Sequence, residues 1–341
     1  MRYRVNKYSV SVLLGCCLVF SHSAIALNIV INELGGFNPF ASAAFARAAS
    51  QWEARIFDPI TVTIDSDFTY LGSSSIIGNA SSVQLTYYNH SYSLIRDMMV
   101  ADAADEPDDL IVSYLPTAGQ LQVDIPAGFS VAGMAASKAN LKALGVQDLD
   151  NQFGAMDGVI NFNTEFSFDF DNSDGVNSGS MDFETVAAHE IGHILGFNSV
   201  VDQIAFLMDQ GATTGEVLMK PLDLFRFQDG SGADPATFSD FTMMPRSLIP
   251  GTDSILDDIQ NEILMSDGLS QQASHWADNL DLGIMDPTLS YGEISLVSER
   301  DLRALDLIGY EITAVPLPVA FWLFGSALLG LVGFQIRGRH T

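Results

Sequence analysis

Fifteen residues, FETVAAHEIGHILGF from Phe183 to Phe197, constrain this chain more than any other stretch of it. Val186, Ile191, Ile194 and Leu195 would bury a helix there, and a buried helix does not carry two histidines and a glutamate without a use for them. Asp182 is a good N-cap, Glu184 is well placed against the helix dipole, and Gly196 is a stop. The segment therefore predicts a helix from about Asp182 through Leu195. His189 and His193 are four residues apart, so both imidazoles project from one side of that helix, about one turn apart. Neutral imidazole is a good zinc ligand, and two of them make half of a tetrahedral site. Glu190 stands beside the first, where it can reach a metal-held water as general base. The plainer alternative, a helix that happens to carry two surface histidines, fits poorly with the apolar flanks.

A catalytic zinc needs a third protein ligand and one open position. Between the two apolar ends of the chain the histidines are His90, His189, His193 and His275. The position six residues after His193 is Ser199, which excludes a third histidine at that short spacing. Gly196 can still turn the chain sharply out of the helix toward a distant ligand. The candidates are His275, His90, or a carboxylate such as Asp202 or Glu216. His275 precedes Trp276, and ten residues further on Gly283-Ile284-Met285-Asp286-Pro287 forms a turn signal around a methionine.

HEIGHILGF, then a long insertion, then SHWADN and GIMDP, resemble the leishmanolysin-like branch of the metzincin zinc peptidases. The likeness covers roughly residues 180–199 and 270–311, where SERDLRALDLIGYEI is similar to the family's closing helix. It implies one catalytic Zn2+ held by His189, His193 and His275, Glu190 as the base and Met285 as the Met-turn residue. It also implies an α+β, metzincin-like zincin domain. That domain has a twisted mixed sheet, an active-site helix, a Met-turn, a C-terminal helix, and an insertion at about 200–270 between the second and third ligands. Tyr291, six residues beyond Met285, is a candidate transition-state stabiliser, at a spacing unlike that of the tyrosine-containing metzincins. The family's disulfides and pro-segment cysteine are absent. The implied chemistry is peptide hydrolysis: zinc lowers the pKa of its water from about 15.7 to about 7, and Glu190 takes the proton and passes it to the leaving amine. A strand such as Gly158–Phe162 would line the cleft and pair with an extended protein or peptide substrate.

The rest of the chain reads as mixed structure. Residues 27–34 alternate loosely as a first strand. Phe45, Ala48, Trp52 and Ile56 put one apolar face on a helix over 41–56, Pro59 ends it, and Ile60 to Ile64 has the β-branched alternation of a strand. Leu110–Tyr114 and Gly158–Phe162 are shorter strand candidates. Residues 169–182 (DFDNSDGVNSGSMD) form an acidic loop whose glycine falls one place late for an EF-hand, leaving Ca2+ binding as the alternative to an ordinary solvated loop.

The two ends stand apart from this domain, which spans 27–313. Residues 1–26 carry Arg2, Arg4 and Lys7, an apolar run and Ala24-Ile25-Ala26, the pattern of a signal peptide; Leu13 to Cys16 is an alternative lipoprotein processing site. The cysteines are Cys16 and Cys17, so the mature domain has no disulfide and no thiol to cap a metal. In the C-terminal segment 314–341, an apolar stretch from Val319 to Ile336 precedes Arg337 and Arg339, as in a short membrane span with a cytoplasmic end. VPLPVAFWLFGSALLGLVGF resembles the PEP-CTERM sorting signals of Gram-negative bacteria in their VPLP variant. That likeness implies an exosortase-like partner, at least transient anchoring in the inner membrane, and delivery to the cell surface or extracellular matrix. The chain holds 15 Lys and Arg against 42 Asp and Glu; five of the bases lie in the acid-free ends, leaving a net charge near −32 between them. Nucleic acid is a poor partner for such a surface. Two other function classes compete with an exported endopeptidase: a non-catalytic surface or matrix protein on a peptidase scaffold, and a zinc hydrolase of a non-peptide substrate.

Overall fold

Asn28–Gly35 (β1) and Thr61–Thr69 (β2) run parallel, in register from Asn28 opposite Thr61 to Glu33 opposite Ser66. A parallel pair needs a crossover, and the helix Pro39–Glu53 (α1) supplies it. Asn38 caps it by accepting from the amides of Phe40 and Ala41, and Ala41, Ala44, Phe45, Ala48, Ala49 and Trp52 form its buried stripe. The helix is shorter at its C-terminus than the spacing predicts, because Ile56 instead makes a β-bridge to Ile312. The computed structural model describes residues 26–86, 92–230 and 232–312. The segments read above as signal peptide (to residue 25) and C-terminal sorting stretch, together with His90, lie outside those residues.

Gly78–Ser82 (β3) and Met156–Asn163 (β4) complete a four-stranded mixed sheet of order β1-β2-β4-β3, with β4 parallel to β2 and β3 antiparallel to β4. The α+β class with a mixed sheet is therefore present. Two expectations change. Gly158–Phe162 lies in β4, which is paired on both sides and has no edge to offer a peptide; the edge strand beside it is β3. Leu110–Tyr114 is not a strand but part of a 3₁₀ segment, Pro107–Tyr114. Pro107 and the acidic Asp108 and Asp109 favour a helical first turn, and Asp109 is bound there by Arg303.

The helix Phe183–Leu195 (α2) packs between the sheet and α1, where Trp52 donates its indole hydrogen to the carbonyl of Ala188 at 3.0 Å. Asp182 caps it through the amide of Thr185 at 2.9 Å, and Gly196 ends it at φ +131°, where an L side chain is strained. Beyond it lies the stretch read above as an insertion, with a helix Val200–Asp209 (α3) and a hairpin of Ser254–Asp257 with Glu262–Met265. Its sequence is turn-rich, yet it contributes a buried cluster of Phe225, Phe227, Phe241, Leu248 and Ile255, with the Arg246 guanidinium 4.8 Å over the Phe227 ring. The last helix among the described residues, Glu299–Asp306 (α4), starts in a capping box of Ser298 and Asp301.

Candidate metal centre

Helical spacing puts His189 and His193 on the same side of α2, with their rings opening into a cleft of about 1480 Å³. His275 reaches the same point from the far end of the insertion. The three Nε2 atoms stand 3.0 Å (His189–His275), 3.2 Å (His189–His193) and 3.2 Å (His193–His275) apart. Nitrogens bound at about 2.0–2.1 Å to one tetrahedral zinc would sit roughly 3.3 Å from one another, so the triangle is of the right size.

The outer edge of each ring decides which nitrogen faces inward. Nδ1 of His189 donates to the carbonyl of Ile284 at 2.7 Å, that of His193 to Phe197 at 2.8 Å, and that of His275 to Gln272 at 3.1 Å. A carbonyl only accepts, so each Nδ1 carries the proton of a neutral ring and each Nε2 presents a lone pair. Burial, with Coulombic help from His193, pushes His189 down to about 3; burial pushes His193 to about 4 and His275 well below the usual imidazole range. Three lone pairs aimed at one point repel one another unless a cation lies between them. The donor set, its spacing and its locked tautomers fit zinc.

Glu190 is 6% exposed and held up to about 8 by burial. A cation nearby acts in the opposite direction, favouring the carboxylate. Its carboxylate lies against the backbone of the edge strand, where a Cβ on Gly78 would come 2.8 Å from Oε1. Among the described residues nothing donates a hydrogen bond to it, so both oxygens remain free for a ligand.

Met285 is fully buried beneath the histidines. A Cβ on Gly192, between His189 and His193, would stand 2.4 Å from the Met285 sulfur, so this thioether requires a glycine there. The turn that carries it is tied down by Asp301, whose carboxylate accepts from the Trp276 indole at 2.7 Å, Ile284 N at 2.8 Å, Met285 N at 3.2 Å and Ser298 N at 2.7 Å. Asp301 escaped the sequence reading, since nothing in SERDLRALD distinguishes it from an ordinary capping residue. Tyr291 lines the same cleft, 58% exposed, its hydroxyl without a hydrogen bond among the described residues.

The other ligand candidates part company here. Glu216 is exposed on the strand Gly215–Met219, and Asp202 turns its carboxylate onto the backbone of Ala273 and Ser274. In the 169–182 loop Asp169 accepts from the amides of Asp171 and Asn177, Asp171 from Ser173, and Asp182 caps α2. Among the described residues two groups bring three potential ligand atoms within 4.8 Å of one another, the histidine triad and Glu106, Asp109 and Asp306, and neither includes that loop.

Comparison of the chain with protein-family models, with curated proteins and with solved structures returns no match.

Proposed function

We propose that this protein is a zinc-dependent endopeptidase, as the leishmanolysin-like resemblance implies, in which His189, His193 and His275 hold the ion and Glu190 is the base. The observation that carries this reading is the triangle of three Nε2 lone pairs, each oriented by an Nδ1–H bond to a backbone carbonyl. Zinc, when bound, supplies the Lewis acidity that acidifies a water and polarises a carbonyl.

The chain's own groups do the rest. Glu190, one residue from His189 and free of other partners, takes the proton from the attacking water and delivers it to the leaving nitrogen. Specificity for an extended peptide comes from β3. Asn163 N donates to Ile77 O and Val83 N to Asp157 O, so the pairing register turns the N–H and C=O of Gly78, Ala80 and Ser82 away from β4 and toward the cleft. Those groups have no backbone partner among the described residues, and a substrate strand can pair with them. A row of unpaired backbone groups beside a hydrolytic centre favours a peptide over a non-peptide substrate.

Glu190→Gln tests the assignment. Glutamine keeps the size and hydrogen-bonding capacity but accepts no proton at neutral pH. The variant should keep about one zinc and lose roughly 10²–10⁴-fold in turnover of an internally quenched peptide library. Near wild-type turnover would remove Glu190 as the base; a zinc-loaded wild type that cleaves nothing would favour the scaffold or non-peptide reading.

A further inference from the structure

The insertion holds the backbone on either side of His275 from both polarities. Asp202, on α3, accepts the amide of Ala273 at 2.5 Å with one oxygen and, with the other, the amide of Ser274 at 3.0 Å and the Ser274 hydroxyl. Arg226 donates to the carbonyls of Ser266 at 2.5 Å and Ala273 at 3.2 Å. His275 O in turn accepts from Ser266 N at 3.1 Å, and Trp276 N donates to Met285 O at 3.0 Å. The Ser274 hydroxyl also accepts from the amide of Ser199 at 2.8 Å, and Ser199 Oγ donates to Asp223 at 2.6 Å. Ser199 stands at the position where a closely spaced third histidine would have come, so the two histidine-bearing segments are joined there by one serine pair.

Burying a carboxylate costs free energy that only well-made hydrogen bonds offset. Among the described residues every hydrogen bond of the Asp202 carboxylate goes to the two residues before His275, and Arg226 donates to two carbonyls of the same loop and to the Met265 sulfur, not to that carboxylate. We infer that Asp202 is the positioning residue for the third ligand. It fixes the backbone of 273–274, and through it the direction of the His275 lone pair, and so sets the affinity and geometry of the metal site. The inference rests on the zinc reading above.

The test uses the full chain, Asp202→Ala and Ser274→Ala, with Asp157→Asn as a control that removes a buried carboxylate of β4 bonded to Thr63 and Lys142 rather than to the His275 loop. Zinc affinity is measured by competition with a chelator, coordination by the visible spectrum of the cobalt-substituted protein, and stability by thermal unfolding. Outer-shell partners of metal ligands typically contribute about 10–100-fold in affinity, and Asp202→Ala should fall in that range with an altered cobalt spectrum. Ser274→Ala should show a smaller loss in the same direction, while Asp157→Asn lowers the unfolding temperature and leaves both metal readouts unchanged. Wild-type affinity and spectrum in Asp202→Ala would overturn the inference and reduce the carboxylate to a structural strut. Should Asp202→Ala not fold, Ser274→Ala decides by the same criteria. A wild type that binds no zinc defeats the proposed function itself, a result distinct from either.

Discussion

The histidine triad and the acidic group of Glu106, Asp109 and Asp306 both bring three potential ligand atoms within 4.8 Å, yet they are solved in opposite ways. In the acidic group a cation is already present as part of the chain. Arg303 bonds Asp109, Asp306 at 2.5 Å and Asp258 at 2.9 Å. Protons supply the rest of the neutralisation: burial raises Glu106 to about 9 and Asp306 to about 8, with neighbouring carboxylates adding to it. In the triad no side chain among the described residues intervenes, the rings are neutral, and their second nitrogens are committed to carbonyls. Convergence of ligand atoms is therefore a poor criterion by itself. What distinguishes a place suited to metal is that the protein has oriented neutral lone pairs toward one point and aimed no donor of its own at them.

The contrast can be broken most forcefully at His275. His275→Ala should take zinc content, measured by mass spectrometry, from about one per chain to none, a loss well beyond the roughly 10–100-fold of outer-shell changes. Equal zinc in variant and wild type would remove His275 from the site.

Arg303→Met is the corresponding cut in the acidic group. It leaves Asp109 and Asp258, both nearly buried, without their cation, and should destabilise the fold by about 3–5 kcal/mol in denaturant titration while zinc content stays at wild type. A loss of zinc instead of stability would show that the two places are coupled.

A third, smaller effect concerns pH. Glu106 and Asp306, with Asp58 and Asp102 raised by burial to about 7, hold protons in the folded state that the unfolded chain releases near pH 4. Folding thus binds protons, and its contribution is complete below about pH 4 and lost as pH rises through 7–9. The zinc-free protein should unfold at a lower temperature at pH 9 than at pH 7. Glu190, raised to about 8, has the same sign, so the comparison is cleanest in Glu190→Gln. Millimolar calcium restoring the unfolding temperature at pH 9 would place a cation in the acidic group and collapse the contrast.

The smallest effect is expected at Tyr291. Because its ring is largely exposed and unpartnered, Tyr291→Phe should change stability by no more than about 0.5 kcal/mol and leave zinc in place. A fall in kcat of about 10²-fold or more at constant KM would instead give its hydroxyl a transition-state role.

Local rules accounted for a good part of this. Asp182, the apolar stripe and Gly196 delimit α2 within a residue, because capping and left-handed backbone are properties of single positions. The i, i+4 spacing of His189 and His193 required no more than helical geometry. The strand assignment at Leu110–Tyr114 failed because Ile111 and Val112 look the same in a buried 3₁₀ turn as in a strand, and the turn is selected by Pro107 and by the distant Arg303. Gly158–Phe162 is an inner strand rather than an edge, a difference that hydrophobic alternation does not encode: it says that a strand is buried, not which neighbours it has.

From its sequence alone, then, the chain determined the histidine helix, the Glu190 position beside it, the class of the fold and the acidic, cysteine-free character of the domain. All of these follow from contacts within a few residues or from composition. Only the tertiary structure decided which way each imidazole presents its lone pair, that His275 closes the triangle, that Asp202 serves the backbone before it, and that β3 carries the free edge. The contacts that bring His275 to α2 and Asp202 to Ala273 join residues 82 or more and 71 positions apart, and the Nδ1 partners of His193 and His275, though only four and three residues away, lie on loops whose course the fold decides; no local periodicity encodes them.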